Sequence, residues 1–268
     1  MYQRGLNLLY PEVCPFCGEI LQVSGKIGAF PEKRKIGNGP ESGEQRVVKQ
    51  WKKMDDSCIC QECRKKLQYV EEPRCYRCGK PLREEDEDVE YCRDCAGRKR
   101  YFDQGRSLYL HRSPASDAIY RFKFKNQRVY AKVFAEEMAE RFAKDLRRWQ
   151  AEALIPIPLS EKRQKKRGYN QAKILARELS KRTGIPVEEG ALFRIRDTRP
   201  QKELDDRERQ QNLRQAFAVA KCWKPVRSVV LVDDIYTTGS TINKAAKMLK
   251  KAGISKVYFL TISIGQGL

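Results

Sequence analysis

Residues 229–242 read VVLVDDIYTTGSTI, and their pattern settles the architecture of the chain. Residues 228–232 (SVVLV) are β-branched and apolar on both faces, as in a strand at the centre of a parallel sheet. Asp233 and Asp234 close that strand. Thr237, Thr238, Gly239, Ser240 and Thr241 form a turn, after which Ile242, Ala245, Ala246 and Leu249 recur at helical spacing, with Gly253 just past the helix end. Ligands of open α/β sheets bind at the carboxyl ends of strands. There the turn offers backbone N–H groups, hydroxyls and a helix N-terminus, a cradle for phosphate that Gly239 lets approach closely. Two carboxylates accept the hydroxyls of a cis-diol, and a diol beside a phosphate describes a ribose 5-phosphate. A solvated strand end or a helix cap explains either half alone; the two at this spacing specify the sugar phosphate. The Walker A pattern of nucleoside triphosphate loops is absent.

Strand and helix patterns alternate on both sides of this unit. Residues 104–110 (QGRSLYL), 153–158 (ALIPIP) and 256–263 (KVYFLTIS) read as strands, with weaker ones at 187–194 and 216–220. Ala131, Phe134, Ala135, Met138 and Phe142 mark one helix. Ala172, Leu175, Ala176 and Leu179 mark another, which Gly184 and Pro186 stop. The alternation predicts an α/β fold with a mostly parallel sheet flanked by helices.

Composition divides the chain near residue 100. The 268 residues carry 55 Lys+Arg and 35 Asp+Glu, a net charge of +20. Residues 1–100 account for a net +3 and residues 101–268 for +17, whereas nine of the ten cysteines lie between Cys14 and Cys95. A small cysteine-rich domain (1–100) followed by a basic α/β domain (101–268) is the expected organisation. The hydrophobic content of 40% excludes a wholly disordered chain. With a mean hydropathy of −0.71, no stretch approaches the roughly 18 apolar residues of a membrane span. The first residues lack the apolar core of a secretory signal, so a cytoplasmic location and a polyanionic partner are expected.

The cysteines fall in C-x-x-C pairs: Cys14/Cys17, Cys60/Cys63, Cys75/Cys78 and Cys92/Cys95. Two intervening residues let both sulfurs of a tight turn face one tetrahedral Zn²⁺. The first and third pairs each end in glycine, Gly18 and Gly79, an internal repeat that starts two ribbons. The simplest pairing joins the first pair to the second and the third to the fourth, giving two structural Cys₄ zinc sites. The first ribbon is split by residues 18–59, with a flexible insertion expected around 24–57. Cys60/Cys63 with Cys75/Cys78, or Cys58 in place of Cys60, are open alternatives.

Lys162, Arg163, Lys165, Lys166 and Arg167 put five cations in six residues of an expected loop. Arg121, Lys123, Lys125 and Arg128 interleave with Phe122, Phe124 and Tyr130. Cations on phosphates and rings on bases describe a single-strand binder, although the same rings also fit a core-facing helix. Lys123, Lys125, Lys162, Lys165, Lys166 and Arg167 are the candidate nucleic-acid contacts. Nothing places His111, the only histidine, near the site.

The turn at 233–241 resembles the phosphoribosyl pyrophosphate (PRPP) loop of type I phosphoribosyltransferases. Pro156-Ile157-Pro158-Leu159, then Arg167-Gly168-Tyr169-Asn170-Gln171, then 194–201 and 209–217, together with the tandem C-x-x-C region, are similar to the ComF branch of that superfamily over nearly the whole chain. The long insertion in the first ribbon is the main departure. The resemblance implies that Asp233 and Asp234 hold the ribose hydroxyls in a catalytic role and Thr237, Thr238, Gly239, Ser240 and Thr241 the 5-phosphate. It implies that the loop carrying Leu159, Ser160, Arg163 and Arg167 holds pyrophosphate, with Mg²⁺ bridging it to the ribose. Residues 196–212 correspond to a loop that closes over the site. The implied activity is phosphoribosyl transfer to an undefined acceptor with release of pyrophosphate. The implied setting is DNA uptake in natural transformation, with single-stranded DNA and competence proteins such as a DNA helicase as partners. Amide transfer is discounted, because the N-terminal cysteines are assigned to zinc. A non-catalytic nucleic-acid-binding protein in which PRPP is regulatory or vestigial is the alternative.

Overall fold

The computed structural model describes residues 13–21, 58–82, 89–195 and 216–265. Four parallel strands form its centre: β1 (Gln104–Leu110), β2 (Ala153–Pro156), β5 (Ser228–Tyr236) and β6 (Lys256–Ile264), in the order β1-β6-β5-β2. β5 lies inside the sheet between β6 and β2, as its two-sided apolar pattern requires. Leu192–Arg194 (β3) and Phe217–Val219 (β4) form a separate antiparallel pair. Val187 instead extends the main sheet by a bridge to Leu154.

Helices cover both faces. Ala115–Phe124 (α3), Tyr130–Arg141 (α4) and Gln171–Thr183 (α7) share one apolar core with Val230, Val232, Leu260 and Ile262. Ser240–Lys251 (α8) shares the other with Val229, Leu231, Val257 and Phe259. The helical stripes read from sequence are those buried: Ala131, Phe134, Ala135 and Met138 on α4, Leu175, Ala176 and Leu179 on α7, and Ile242, Ala245, Ala246 and Leu249 on α8. Ala143–Arg148 (α5) continues from α4, and Glu161–Arg167 (α6) follows β2.

Two short helices, Gln61–Lys66 (α1) and Arg93–Ala96 (α2), belong to the cysteine turns. Cys14, Phe16, Cys63 and Leu67 join the α3/α4 core, whereas Cys75, Cys78, Cys92 and Cys95 join the α8 core. The ribbons thus lie against opposite faces of the sheet. They meet at β1, where Tyr69 bridges Tyr109 in antiparallel fashion and the Gly105 N–H donates to the Arg77 carbonyl at 2.8 Å. That pairing covers an edge strand that would otherwise be open.

Three local expectations change. β5 runs through Asp233 and Asp234 to Tyr236, because β6 continues to pair with it as far as Ile264. The apolar run at 153–158 is a strand only over Ala153–Pro156. The basic stretch at 162–167 is not a loop: it lies in α6, which Ser160 precedes and Gly168 ends in the left-handed conformation (φ 75°). The insertion at 24–57 and the closing loop at 196–212 lie outside the described residues.

Candidate functional site

Sheet register brings the two halves of the site together. Ala153 to Pro156 of β2 pair with Val229 to Val232 of β5, and the Ile157 N–H donates to the Val232 carbonyl at 2.9 Å. Leu159 and Ser160 therefore leave the sheet beside Asp233 and Asp234, with the N-terminus of α8 a few residues further along β5. The expected diol and phosphate residues gather at the carboxyl end of the sheet, on neighbouring strands, and of the expected pyrophosphate residues Leu159, Ser160 and Arg167 join them.

Asp234 is not a free carboxylate. Lys123 at the end of α3 reaches it with Nζ to Oδ1 at 2.9 Å, both side chains only 13–14% exposed. Lys123 was a candidate nucleic-acid contact; the structure places it inside the site. Asp233 accepts the Asp234 backbone N–H at 2.8 Å. Burial, and then the charge of Asp234, push the Asp233 carboxyl up to about 8, against the opposing pull of Lys123 and Arg167. His111 also lies here, contrary to expectation. It follows β1, its Nδ1 is 2.9 Å from Ser263 Oγ, and burial followed by the charge of Lys123 lowers its pKa, against Asp234. Strand order brings it close: β1 and β6 end beside β5, which linear spacing does not reveal.

The R-G-Y-N-Q segment positions Lys123. The Arg167 guanidinium lies 4.7 Å from the Phe124 ring centroid, the Tyr169 hydroxyl donates to the Phe122 carbonyl, and Gln171 Nε2 donates to the Lys123 carbonyl at 3.5 Å. Asn170 caps α7, accepting from the Ala172 N–H at 2.9 Å, and its Nδ2 donates to the Ile157 carbonyl at 3.0 Å. One short segment thus fixes both the end of α3 and the exit loop of β2.

In the turn that follows β5, Thr237, Thr238, Ser240 and Thr241 are exposed and Gly239 is buried. Gly239 adopts φ 73°, and a Cβ there would lie 2.3 Å from Tyr236 Oη. Only glycine fits, on grounds of both conformation and space. Tyr236 itself is stacked on Phe259 at 4.8 Å.

The remaining cations separate from the site. Arg163 and Lys162, Lys165 and Lys166 project into solvent from α6, and Lys125 is exposed beyond α3. Phe122 and Tyr130 are core residues, so two of the three rings of the expected aromatic alternation are packing. Phe124 (45% exposed) and Tyr120 (56%) are not; their rings meet at 5.0 Å on the open face of α3. Tyr120 was missed because its partner is four residues away, a helical neighbour rather than a sequence alternate.

Two metal centres are formed. Cys14, Cys17, Cys60 and Cys63 converge, as do Cys75, Cys78, Cys92 and Cys95, with all sulfurs of each set within 4.8 Å of one another. Sulfur separations of 3.7 Å (Cys17–Cys60) and 3.6 Å (Cys78–Cys92) match the ~3.8 Å edge of a tetrahedron with Zn–S bonds of about 2.3 Å. Backbone N–H groups of Cys60 and Cys63 point at Cys14 and Cys60 sulfurs, as thiolates require. The cysteines are free thiols rather than disulfides. Gly18 (φ 86°) and Gly79 (φ 72°) complete the repeated turns. Cys58 is outside both sets, and the alternative pairing across the ribbons is overturned. Four thiolates leave no open coordination position, so both sites are structural.

Family models for a double zinc ribbon domain and a phosphoribosyl transferase domain match residues 50–96 and 165–263. The chain is 36% identical over 204 residues to "Competence protein F" of Haemophilus influenzae, covering 74% of this chain and 87% of that protein. It is 30% identical over 206 residues to "Competence protein ComFC" of Bacillus subtilis, covering 74% and 80%. A shorter match, 37% over 106 residues (39% and 45%), is to "DNA utilization protein YhgH" of Escherichia coli O157:H7.

Proposed function

The chain belongs to the ComF family, and from that premise we propose that it is a PRPP-binding protein that transfers phosphoribosyl with release of pyrophosphate during the handling of incoming single-stranded DNA. The observation that carries this reading is the Asp233/Asp234 pair and the Gly239 turn at the end of the central parallel strand, directly beside the β2 exit loop. Asp233 and Asp234 accept the ribose 2- and 3-hydroxyls. Backbone N–H groups and hydroxyls of residues 237–241 receive the 5-phosphate. Leu159, Ser160 and Arg167 line the side of the site where pyrophosphate would lie, whereas Arg163 projects into solvent from α6; Mg²⁺ bound with the pyrophosphate would supply charge neutralisation. We put the domain boundary near residue 100 and the site of action in the cytoplasm, where thiols stay reduced and available to zinc.

Pyrophosphate release from PRPP, screened against bases, amines and single-stranded DNA, tests the transfer. Turnover with one acceptor class that disappears in the Asp233/Asp234 double variant is the expected result. PRPP binding without turnover under any acceptor moves the protein to the non-catalytic reading.

A specific observation supports DNA binding. The exposed Tyr120–Phe124 pair has the Arg167 guanidinium 4.7 Å from the Phe124 ring centroid and the exposed Lys125 next in the chain. Base stacking on such rings contributes about 1–3 kcal/mol per base. Affinity for an oligothymidylate should fall steeply with salt, by orders of magnitude between about 50 and 200 mM if six or more phosphates are contacted. Phe124→Ala should weaken binding without changing that salt slope. A flat salt response, measured by fluorescence anisotropy, would remove this surface from consideration.

A further inference from the structure

We propose that the second zinc ribbon is part of the phosphate turn, with Arg100 as the positioning residue that sets the turn's affinity for a sugar 5-phosphate. This rests on the phosphoribosyl reading above. Arg100 lies five residues beyond the last ligand of that ribbon, Cys95. Its guanidinium donates from Nη2 to the Asp94 carbonyl at 3.0 Å, within the Cys92–Cys95 turn, and from Nη1 to the Thr238 carbonyl at 3.1 Å. One rigid planar cation therefore spans from the zinc knuckle to the phosphate turn.

Neighbouring bonds make the junction a unit. Asn243 in the first turn of α8 accepts the Tyr101 N–H on Oδ1 at 2.7 Å and donates from Nδ2 to the Lys99 carbonyl at 3.2 Å. Phe102 meets Tyr236 edge-on at 6.3 Å, and Tyr236 is the 1%-exposed ring beneath Gly239. Residues 99–102 thus hold the turn by its carbonyl, its helix and its floor.

The consequence follows from peptide geometry. The C=O and N–H of a trans peptide point in opposite directions. With the Thr238 carbonyl drawn to Arg100, the Gly239 N–H is aimed away from the ribbon, toward the open side of the turn where an anion is received. Without Arg100 the peptide is free to rotate, and a carbonyl facing the anion would repel it. The guanidinium charge adds an attractive field behind the turn. Tyr236 Oη, buried without a hydrogen-bond partner, lies under the same glycine and adds a polar group to the seat.

Arg100→Met keeps the aliphatic stem and removes both donors. By calorimetry it should weaken ribose 5-phosphate and PRPP about tenfold, the loss of one hydrogen bond involving a charged group. Pyrophosphate affinity should stay unchanged, and Arg100→Lys should recover part of the loss. In parallel, hydrogen exchange at the amides of residues 237–241 should be faster in Arg100→Met than in the wild type. Equal exchange in the two proteins, or a pyrophosphate affinity that falls as much as that for ribose 5-phosphate, overturns the inference. If the wild type binds neither sugar phosphate, the phosphoribosyl reading fails, and the exchange rates alone decide whether Arg100 holds the turn.

Discussion

Asp233→Asn combined with Asp234→Asn should abolish PRPP binding measured by calorimetry at neutral pH. A charge-assisted hydrogen bond from a ribose hydroxyl contributes about 1.5–3 kcal/mol and one to the largely protonated Asp233 about 0.5–1.5 kcal/mol, so loss of both predicts roughly 30- to 2,000-fold weaker binding. Unchanged affinity would remove the ribose from this pair. The double variant also leaves Lys123 without its counter-ion in a buried position, so some loss of stability accompanies the loss of binding. The two effects separate by pH. The Asp233 carboxyl is raised in the folded protein to about 8 from the ordinary 3.8. The folded state therefore retains a proton that the unfolded chain has already released. This contribution to stability is complete below about pH 4 and is lost as pH rises toward 8. Asn at 233 mimics the protonated acid, so the melting temperature of Asp233→Asn should gain on the wild type across that range. A wild-type profile parallel to that of the variant would show that Asp233 is not perturbed.

Metal analysis should find two zinc ions per chain, and removing the second should unfold more than a ribbon. A structural zinc site contributes on the order of 10–16 kcal/mol in isolated fingers, comparable to the stability of a whole domain. The sites differ in access. Cys17 of the first is exposed and Cys60 half-buried, whereas all four thiols of the second are buried. A chelator should therefore extract one zinc rapidly and the other slowly. The second set shares its core with Phe102, Tyr236, Phe259 and Leu249, so Cys78→Ser should cause cooperative loss of the α/β domain's tertiary signal by near-ultraviolet circular dichroism. A variant that loses one zinc and keeps that signal would show the ribbons to be appendages.

How much of this was legible depends on the range of the interactions. The central strand, the buried stripes of α4, α7 and α8 and the Cys₄ pairings were readable because each is a local pattern: period 2, period 3.6 or a two-residue spacing between ligands. The gathering of the diol and phosphate residues was readable too, since both sit on one strand–turn–helix unit. Lys123, His111, Arg100 and Asn243 were not. Lys123 sits in a charge cluster that resembles a solvated face, and only helix α3 docked by Tyr169 and Gln171 turns it onto Asp234.

The sequence by itself therefore determined the α/β class, the two zinc ribbons and the strand–turn–helix unit of residues 228–251, because those depend on propensity, periodicity and coordination chemistry within a few residues. Tertiary structure alone decided the pairing of Asp234 with Lys123, the burial of Lys123 and the attachment of the second ribbon to the turn at 237–241. Those properties arise where segments up to 138 residues apart, such as Arg100 and Thr238, are brought within hydrogen-bond reach. Burial then sets the strength of each charge, a quantity that no stretch of sequence carries alone.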